Sequence, residues 1–207
     1  KVAEKDRVLV DNRPIGAPEP TRLWRYHKPS GLVTTHRDPA GRPTVFQRLP
    51  EDLPRVVSIG RLDLTSEGLL LLTNDGELAR RLELPANAWI RRYRARAFGR
   101  ITQEELDQLK DGITVEGVRY RGVEVTEETG HTGRTNTWYR VTLTEGKNRE
   151  IRRLFEHFGC VVNRLIRVQY GPFHLGKLER GDVVEVPAAD VKRFMKELAA
   201  EPVKIKA

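Results

Sequence analysis

The chain of 207 residues has one cysteine, Cys160. A solitary cysteine excludes an intrachain disulfide and any cysteine-rich zinc site, and it fits a reducing, cytoplasmic compartment. The histidines His27, His36, His131, His157 and His174 have no metal-ligand spacing, so no metal is expected. No run approaches the roughly 18 apolar residues of a membrane span, and no secretory leader is visible, so no membrane partner is expected. Trp24, Trp89 and Trp138 read as core residues, not as stacking platforms. Internal repeats and low-complexity tracts are lacking as well.

What the chain has in excess is positive charge. It carries 37 Lys+Arg against 29 Asp+Glu, a formal net charge of +8. That balance favours a polyanionic partner, and nucleic acid is the commonest one. A hydrophobic content of 38% is enough for one good core or two small ones.

Arg7 to Ile15 reads as two short strands around a turn, and Gly16 to Pro20 as a Pro/Gly-rich linker and domain boundary. Leu23 to His27 is a strand stopped by Pro29-Ser30-Gly31. Val56 to Ile59 leads into a turn around Asp63, Leu64 to Gly68 turns the chain, and Leu69 to Thr73 is a buried strand. Asp75 caps a helix from Gly76 to Leu84 that Pro85 ends. Arg91 to Phe98 alternates as a strand. Thr102-Gln103-Glu104-Glu105 is a capping box opening a helix to Lys110. A hairpin over Gly112 to Val125 and a strand over Thr137 to Leu143 follow. A helix over 148–158 then precedes strands at Val161 to Val168 and Asp182 to Val186, and a terminal helix from Ala188. Strands outnumber helices and their links are short and turn-rich. The expectation is an α+β fold on a largely antiparallel mixed sheet with flanking helices.

Two stretches carry chemistry. Gly60-Arg61-Leu62-Asp63 sets a lone carboxylate on a turn ahead of a buried strand, where it is held rigidly and projects into a cleft. In Glu145-Gly146-Lys147-Asn148-Arg149-Glu150-Ile151-Arg152-Arg153, a turn opens a basic helix that Asn148 is expected to cap. Ile151, Leu154, Phe155 and Phe158 form its buried stripe. Arg149 and Arg153 lie nearly opposite, and Arg152 sits at the stripe's edge, where its guanidinium can turn inward toward a fixed carboxylate. Cations at the positive end of a helix dipole cost local stability, which points to phosphate binding. One acidic point and one arginine-studded helix in a basic protein suggest an enzyme acting on a polyanion.

In order along the chain, these motifs resemble the pseudouridine synthases, in particular the RsuA/RluB branch that modifies ribosomal RNA, and within it the RluB-like enzymes. The resemblance runs from Leu23 to Val186. It rests on Tyr26-His27-Lys28-Pro29-Ser30-Gly31-Leu32-Val33, Gly60-Arg61-Leu62-Asp63, Arg92-Tyr93-Arg94, the segment Glu145 to Arg153, and Asn163-Arg164-Leu165-Ile166-Arg167 with Tyr170-Gly171-Pro172-Phe173. It implies a pseudouridine synthase fold with a central cleft over 20–200. Residues 1–19 would then be the end of an S4-like RNA-binding domain, most of it lacking, plus linker.

The resemblance also implies roles. Asp63 would attack the target uridine, Arg152 would pair with Asp63, and Tyr93 would stack on the base and take the carbon-5 proton. Leu165 would pack against the base, while Arg61, Lys28, Lys147, Asn148, Arg149 and Arg153 would bind substrate. The partner implied is ribosomal RNA, as a 23S hairpin, met by a monomer with no cofactor. Isomerising uridine needs no oxidant, donor or metal, and a carboxylate can act as nucleophile or stabilise a cationic sugar. A non-catalytic ribosomal-RNA-binding or assembly protein is the alternative. It accounts for the charge but not for Asp63, an acid where RNA-binding surfaces avoid negative charge.

Overall fold

Side-chain alternation along Arg91–Phe98 buries Tyr93, Ala95 and Ala97 on one face and leaves Phe98 exposed. This strand lies near the middle of the main sheet. The computed structural model describes residues 19–128 and 136–200, together with the backbone of 9–10 and 13–14. The last four form a hairpin of β1 (Leu9–Val10) and β2 (Arg13–Pro14). The expected S4-like remnant over 1–19 otherwise lies outside the described residues.

Nine strands make the main sheet. They are β3 (Leu23–Lys28), β4 (Val57–Ile59), β5 (Ser66–Thr73), β6 (Arg91–Phe98), β9 (Glu124–Glu127), β10 (Asn136–Leu143), β11 (Val161–Tyr170), β12 (Phe173–His174) and β13 (Val183–Glu185). A small hairpin of β7 (Thr114–Val115) and β8 (Val118–Arg119) stands apart. The sheet order is β13-β3-β5-β11-β6-β10-β9, with β4 on β5 and β12 on β11. Among the described residues every strand pairing of this sheet is antiparallel except β5 with β11, which bears out the largely antiparallel mixed sheet. At the parallel seam, Gly68 at φ 103° lets Arg167 come close enough that a Cβ would meet its carbonyl oxygen at 2.3 Å. β5 therefore starts at Ser66, inside the stretch expected to be a turn.

Helices cover both faces. One core joins Leu70, Leu72, Tyr93 and Leu165 to α2 (Gln103–Gln108) and α3 (Glu150–His157) through Leu106, Ile151 and Phe155. The other joins Leu69, Leu71 and Ile166 to α1 (Gly76–Glu83) and α4 (Ala188–Ala200) through Leu78, Leu82 and Phe194. Asp75 caps α1 by accepting from the backbone N–H groups of Glu77 and Leu78, and Thr102 with Glu105 forms the expected capping box. Among the described residues no helix is long and apolar enough to cross a membrane.

Trp24 is buried, whereas Trp89 and Trp138 are only partly buried against the second core. The helix after residue 145 also differs from expectation: Asn148 is not its cap. Arg149 occupies that position in the left-handed region at φ 52° and makes no side-chain cap hydrogen bond.

Candidate active site

The Asp63 turn is tied down from four directions. Lys28, at the end of β3, is fully buried, and its Nζ donates to the carbonyls of Pro29 (3.1 Å), Asp63 (3.1 Å), Leu64 (3.5 Å) and Ser66 (2.9 Å). The Thr34 hydroxyl donates to the Leu62 carbonyl at 2.9 Å and accepts from the Leu62 N–H at 3.3 Å. Glu83 on α1 accepts from the Gly60 N–H at 2.7 Å. Arg152 on α3 donates from Nη1 to the Val162 carbonyl (2.6 Å) and from Nη2 to the Thr65 hydroxyl (3.0 Å) and carbonyl (3.4 Å). These residues come from β3, the loop after it, α1 and α3, so the backbone of the Asp63 turn is held by distant parts of the fold and not by its own loop alone.

This arrangement corrects two expectations. Lys28 does not face a ligand: its ammonium is used up on carbonyls, and a buried charge with four acceptors acts on the turn it holds. Burial pushes its pKa down to about 8, opposed by the charges of Asp63 and Glu67. Arg152 is buried and turned inward as expected, yet among the described residues it makes no direct ion pair with Asp63. It reaches the Asp63 turn through Thr65, two residues on. Burial lowers the Arg152 pKa, with Arg149 adding to that, while Asp63 is close enough to oppose it.

Asp63 opens on a cavity of about 400 Å³. Tyr93 and Leu165, both nearly buried, form part of its wall, with Ser66, Leu143 and Ile151. Arg61, Lys147, Asn148 and Arg149 line it as well. Lys147 is held there by bonds from its Nζ to the Arg119 carbonyl (2.8 Å) and the Glu145 carboxylate (2.6 Å). Arg153, expected to bind substrate, is half-buried on α3 and is not among the lining residues. The cavity thus gathers one acid, one aromatic ring, one apolar contact and a basic rim, a size and lining suited to a single nucleotide.

Among the lining residues not expected from the sequence are Arg91, Arg167, Tyr170 and Glu150. The Arg91 and Arg167 guanidiniums both lie near the Tyr170 ring, at 4.8 Å and 5.3 Å from its centre. Arg167 is buried and donates to the Leu69 carbonyl at 2.8 Å, while its Nη2 has no hydrogen-bond partner among the described residues. The strand period was a usable signal: Arg91 lies two residues from Tyr93, and Arg167 two from Leu165, hence on the same faces. Glu150 is the fourth. It is buried and accepts from the Lys147 N–H at 2.9 Å, and its Oε1 has no hydrogen-bond partner among the described residues. Burial pushes its pKa up to about 7, and neighbouring Glu145 adds to the rise.

Comparison with known proteins matches residues 22–157 to the RNA pseudouridylate synthase family. An uncharacterized RNA pseudouridine synthase of Rickettsia typhi is 45% identical over 190 residues, covering 92% of this chain and 77% of that protein. The ribosomal large subunit pseudouridine synthase B of Yersinia pestis is 41% identical over 213 residues, covering 98% of this chain and 66% of its own length. Among solved structures, a pseudouridylate synthase superposes with a TM-score of 0.72 at 22% identity, over 93% of this chain and 81% of that one. That likeness concerns the fold.

Proposed function

Because the chain belongs to the RNA pseudouridylate synthase family and is an RNA-modifying isomerase, we propose that it converts one uridine of a 23S ribosomal RNA hairpin to pseudouridine. Asp63 is the catalytic carboxylate in this reading. The carbon–nitrogen glycosidic bond breaks, the base turns within the cavity, and carbon 5 bonds to the sugar in place of nitrogen 1. The hydrogen on carbon 5 leaves as a proton and nitrogen 1 takes one up, so atoms balance with no oxidant, donor or cofactor. Tyr93 stacks on the base and accepts that proton, and Leu165 holds the opposite side of the ring. The observation that carries the reading is the shared cavity, in which Asp63, Tyr93 and Leu165 meet beneath a basic rim.

A stacked uridine exposes neither its sugar carbon nor its C6, so the nucleotide has to be extruded. Flipping costs a few kcal/mol, least in a loop or an imperfect stem. Stacking on Tyr93, about 1–3 kcal/mol per base, and phosphate contacts from Arg61, Lys147 and Arg149 offset that cost. Arg152 is a positioning residue that aims Asp63 through Thr65, and Lys28 supports the same turn from below. The large-subunit RNA is favoured by the likeness to the Yersinia pestis protein. We further propose that the chain works as a cytoplasmic monomer, with residues 1–19 ending an S4-like domain.

The test is to incubate the protein with separate large- and small-subunit ribosomal RNA transcripts and map pseudouridine in each. A single new pseudouridine in the large-subunit transcript is expected. Modification confined to the small-subunit RNA would refute the substrate, and none in either would refute the function.

A further inference from the structure

The sheet face opposite the cavity carries an arrangement that the reaction does not use. Arg92, Arg94 and Arg96 occupy successive positions on that face of β6, with Arg140 on β10 and Arg164 on β11 beside them. The register puts Arg94 directly across from Arg140, and Arg96 directly across from Arg164. Like charges directly opposite in a sheet repel, so a fold gains nothing from two such pairs side by side. The face is also open to solvent: the Arg140 side chain is 68% exposed, and the cross-strand neighbours Phe98 and Val161 are 55% and 57% exposed.

Trp138 explains how the arginines are held. Its ring has the Arg94 guanidinium at 4.6 Å, Arg164 at 5.8 Å and Arg96 at 6.0 Å. An indole attracts cations and orders them in place. Hydrogen bonds fix them further, Arg92 to Gln169 at 3.1 Å and Arg96 to Asn163 at 2.8 Å. Two carboxylates offset part of the charge: Glu128 pairs with Arg94 at 2.6 Å and Glu67 with Arg164 at 3.0 Å, Arg180 adding a further cation on Glu67. The patch remains strongly positive. Successive same-face residues on a strand lie about 6.8 Å apart and strands about 4.8 Å apart, which makes a fixed cationic lattice.

We infer that this face is a second RNA-binding surface, which takes the phosphate backbone of a segment of the RNA substrate lying outside the catalytic cleft. Only the identity of the polyanion rests on the function proposed above. Rigid guanidiniums favour phosphate, which accepts two donors at once, and the lattice reads charge and not base sequence.

The triple variant Arg92→Gln/Arg96→Gln/Arg140→Gln tests this, since it keeps the short pairs of Glu67 with Arg164 and of Glu128 with Arg94 and removes only the 3.9 Å contact of Arg140 with Glu128. Binding of a full-length large-subunit ribosomal RNA transcript, and of a minimal hairpin that keeps the modified uridine, is measured by filter retention across a salt series. On the transcript the affinity is expected to fall at least about tenfold and the salt slope to drop by about two to three, at 0.7–0.9 per lost phosphate contact. Hairpin affinity and single-turnover rate on the hairpin should stay at wild-type values. Unchanged transcript affinity and slope would overturn the inference, as would an equal loss on both RNAs, which marks a defect of fold or cleft. Photo-crosslinking of the wild-type protein to thiouridine-substituted transcript needs no variant: adducts are expected within 92–98 and 136–140, and adducts confined to the cavity residues would overturn it. Failure of the enzymatic reading shows separately, as wild-type protein that binds the transcript and forms no pseudouridine.

Discussion

Replacing Arg152 with lysine keeps a positive charge near Asp63 and removes only the fork. The guanidinium now spans two elements, donating to the Val162 carbonyl at 2.6 Å and to the Thr65 hydroxyl at 3.0 Å. One ammonium on a single stem cannot hold both, so one acceptor loses a charged donor. A hydrogen bond from a charged group contributes about 1.5–3 kcal/mol. If the Thr65 side is released, the Asp63 turn drifts from its position, and that same energy appears in the barrier as a fall of about 10- to 150-fold in rate. The assay is single-turnover release of tritium from RNA carrying [5-³H]uridine, with RNA affinity and thermal stability measured alongside. Arg152→Lys is expected to bind RNA as the wild type does and to turn over in that slower range. A rate within about twofold of wild type would refute the argument, because positive charge alone would then account for everything Arg152 does.

Other perturbations probe the support of the site. Lys28→Met takes the ammonium from the carbonyls of Pro29, Asp63 and Ser66, of which Asp63 keeps the Ser66 N–H as a donor, at about 1–3 kcal/mol for each group left unsatisfied less the recovered cost of burying the ammonium. The single-turnover rate should fall with the RNA dissociation constant unchanged, and the reverse pattern would return Lys28 to a substrate-binding role. Glu150 keeps its proton up to about 7 in the fold, against 4.5 as its ordinary value. The unfolded chain therefore binds fewer protons in that window, so stability falls as pH rises through it and the penalty is complete above it. Glu150→Gln does not titrate and still offers the Lys147 N–H an oxygen. Its melting temperature should match wild type near pH 5 and exceed it near pH 8, whereas parallel pH profiles would contradict the burial argument. Gly68→Ala puts a methyl 2.3 Å from the Arg167 carbonyl oxygen at φ 103°. Urea denaturation should show a loss of at least about 3 kcal/mol, as the parallel seam must open, and a near-neutral change would mean that the seam yields freely.

Much of this architecture could be read directly from the residues. Alternation gave β6 its bounds at Arg91 and Phe98, Asp75 and Thr102 announced α1 and α2, and the apolar stripe of Ile151, Leu154 and Phe155 gave the buried face of α3. Asp63 stands out as a lone acid on a turn, Tyr93 and Leu165 come from family order, and the fold brings all three to one cavity. The errors at Lys28 and Ser66 share a cause, which is long-range context, and the one at Asn148 is local. A lysine before Pro29 reads as an exposed charge until the carbonyls that surround its Nζ come from a segment some 35 residues on. An arginine with positive φ at a helix start is rare enough that Asn148 was the better guess for the cap. Ser66 reads as turn because the strand it opens is completed by a partner that arrives only at Leu165.

The central claim is that the negative charge of Asp63, and not merely its place in a basic cleft, carries the reaction. Asp63→Asn keeps the shape and removes the charge, so tritium release from [5-³H]uridine-labelled ribosomal RNA is the measurement that bears on it most directly. The account predicts no release above background, with RNA affinity within about threefold of wild type. Release at the wild-type rate would contradict it, because the isomerisation would then proceed without that charge.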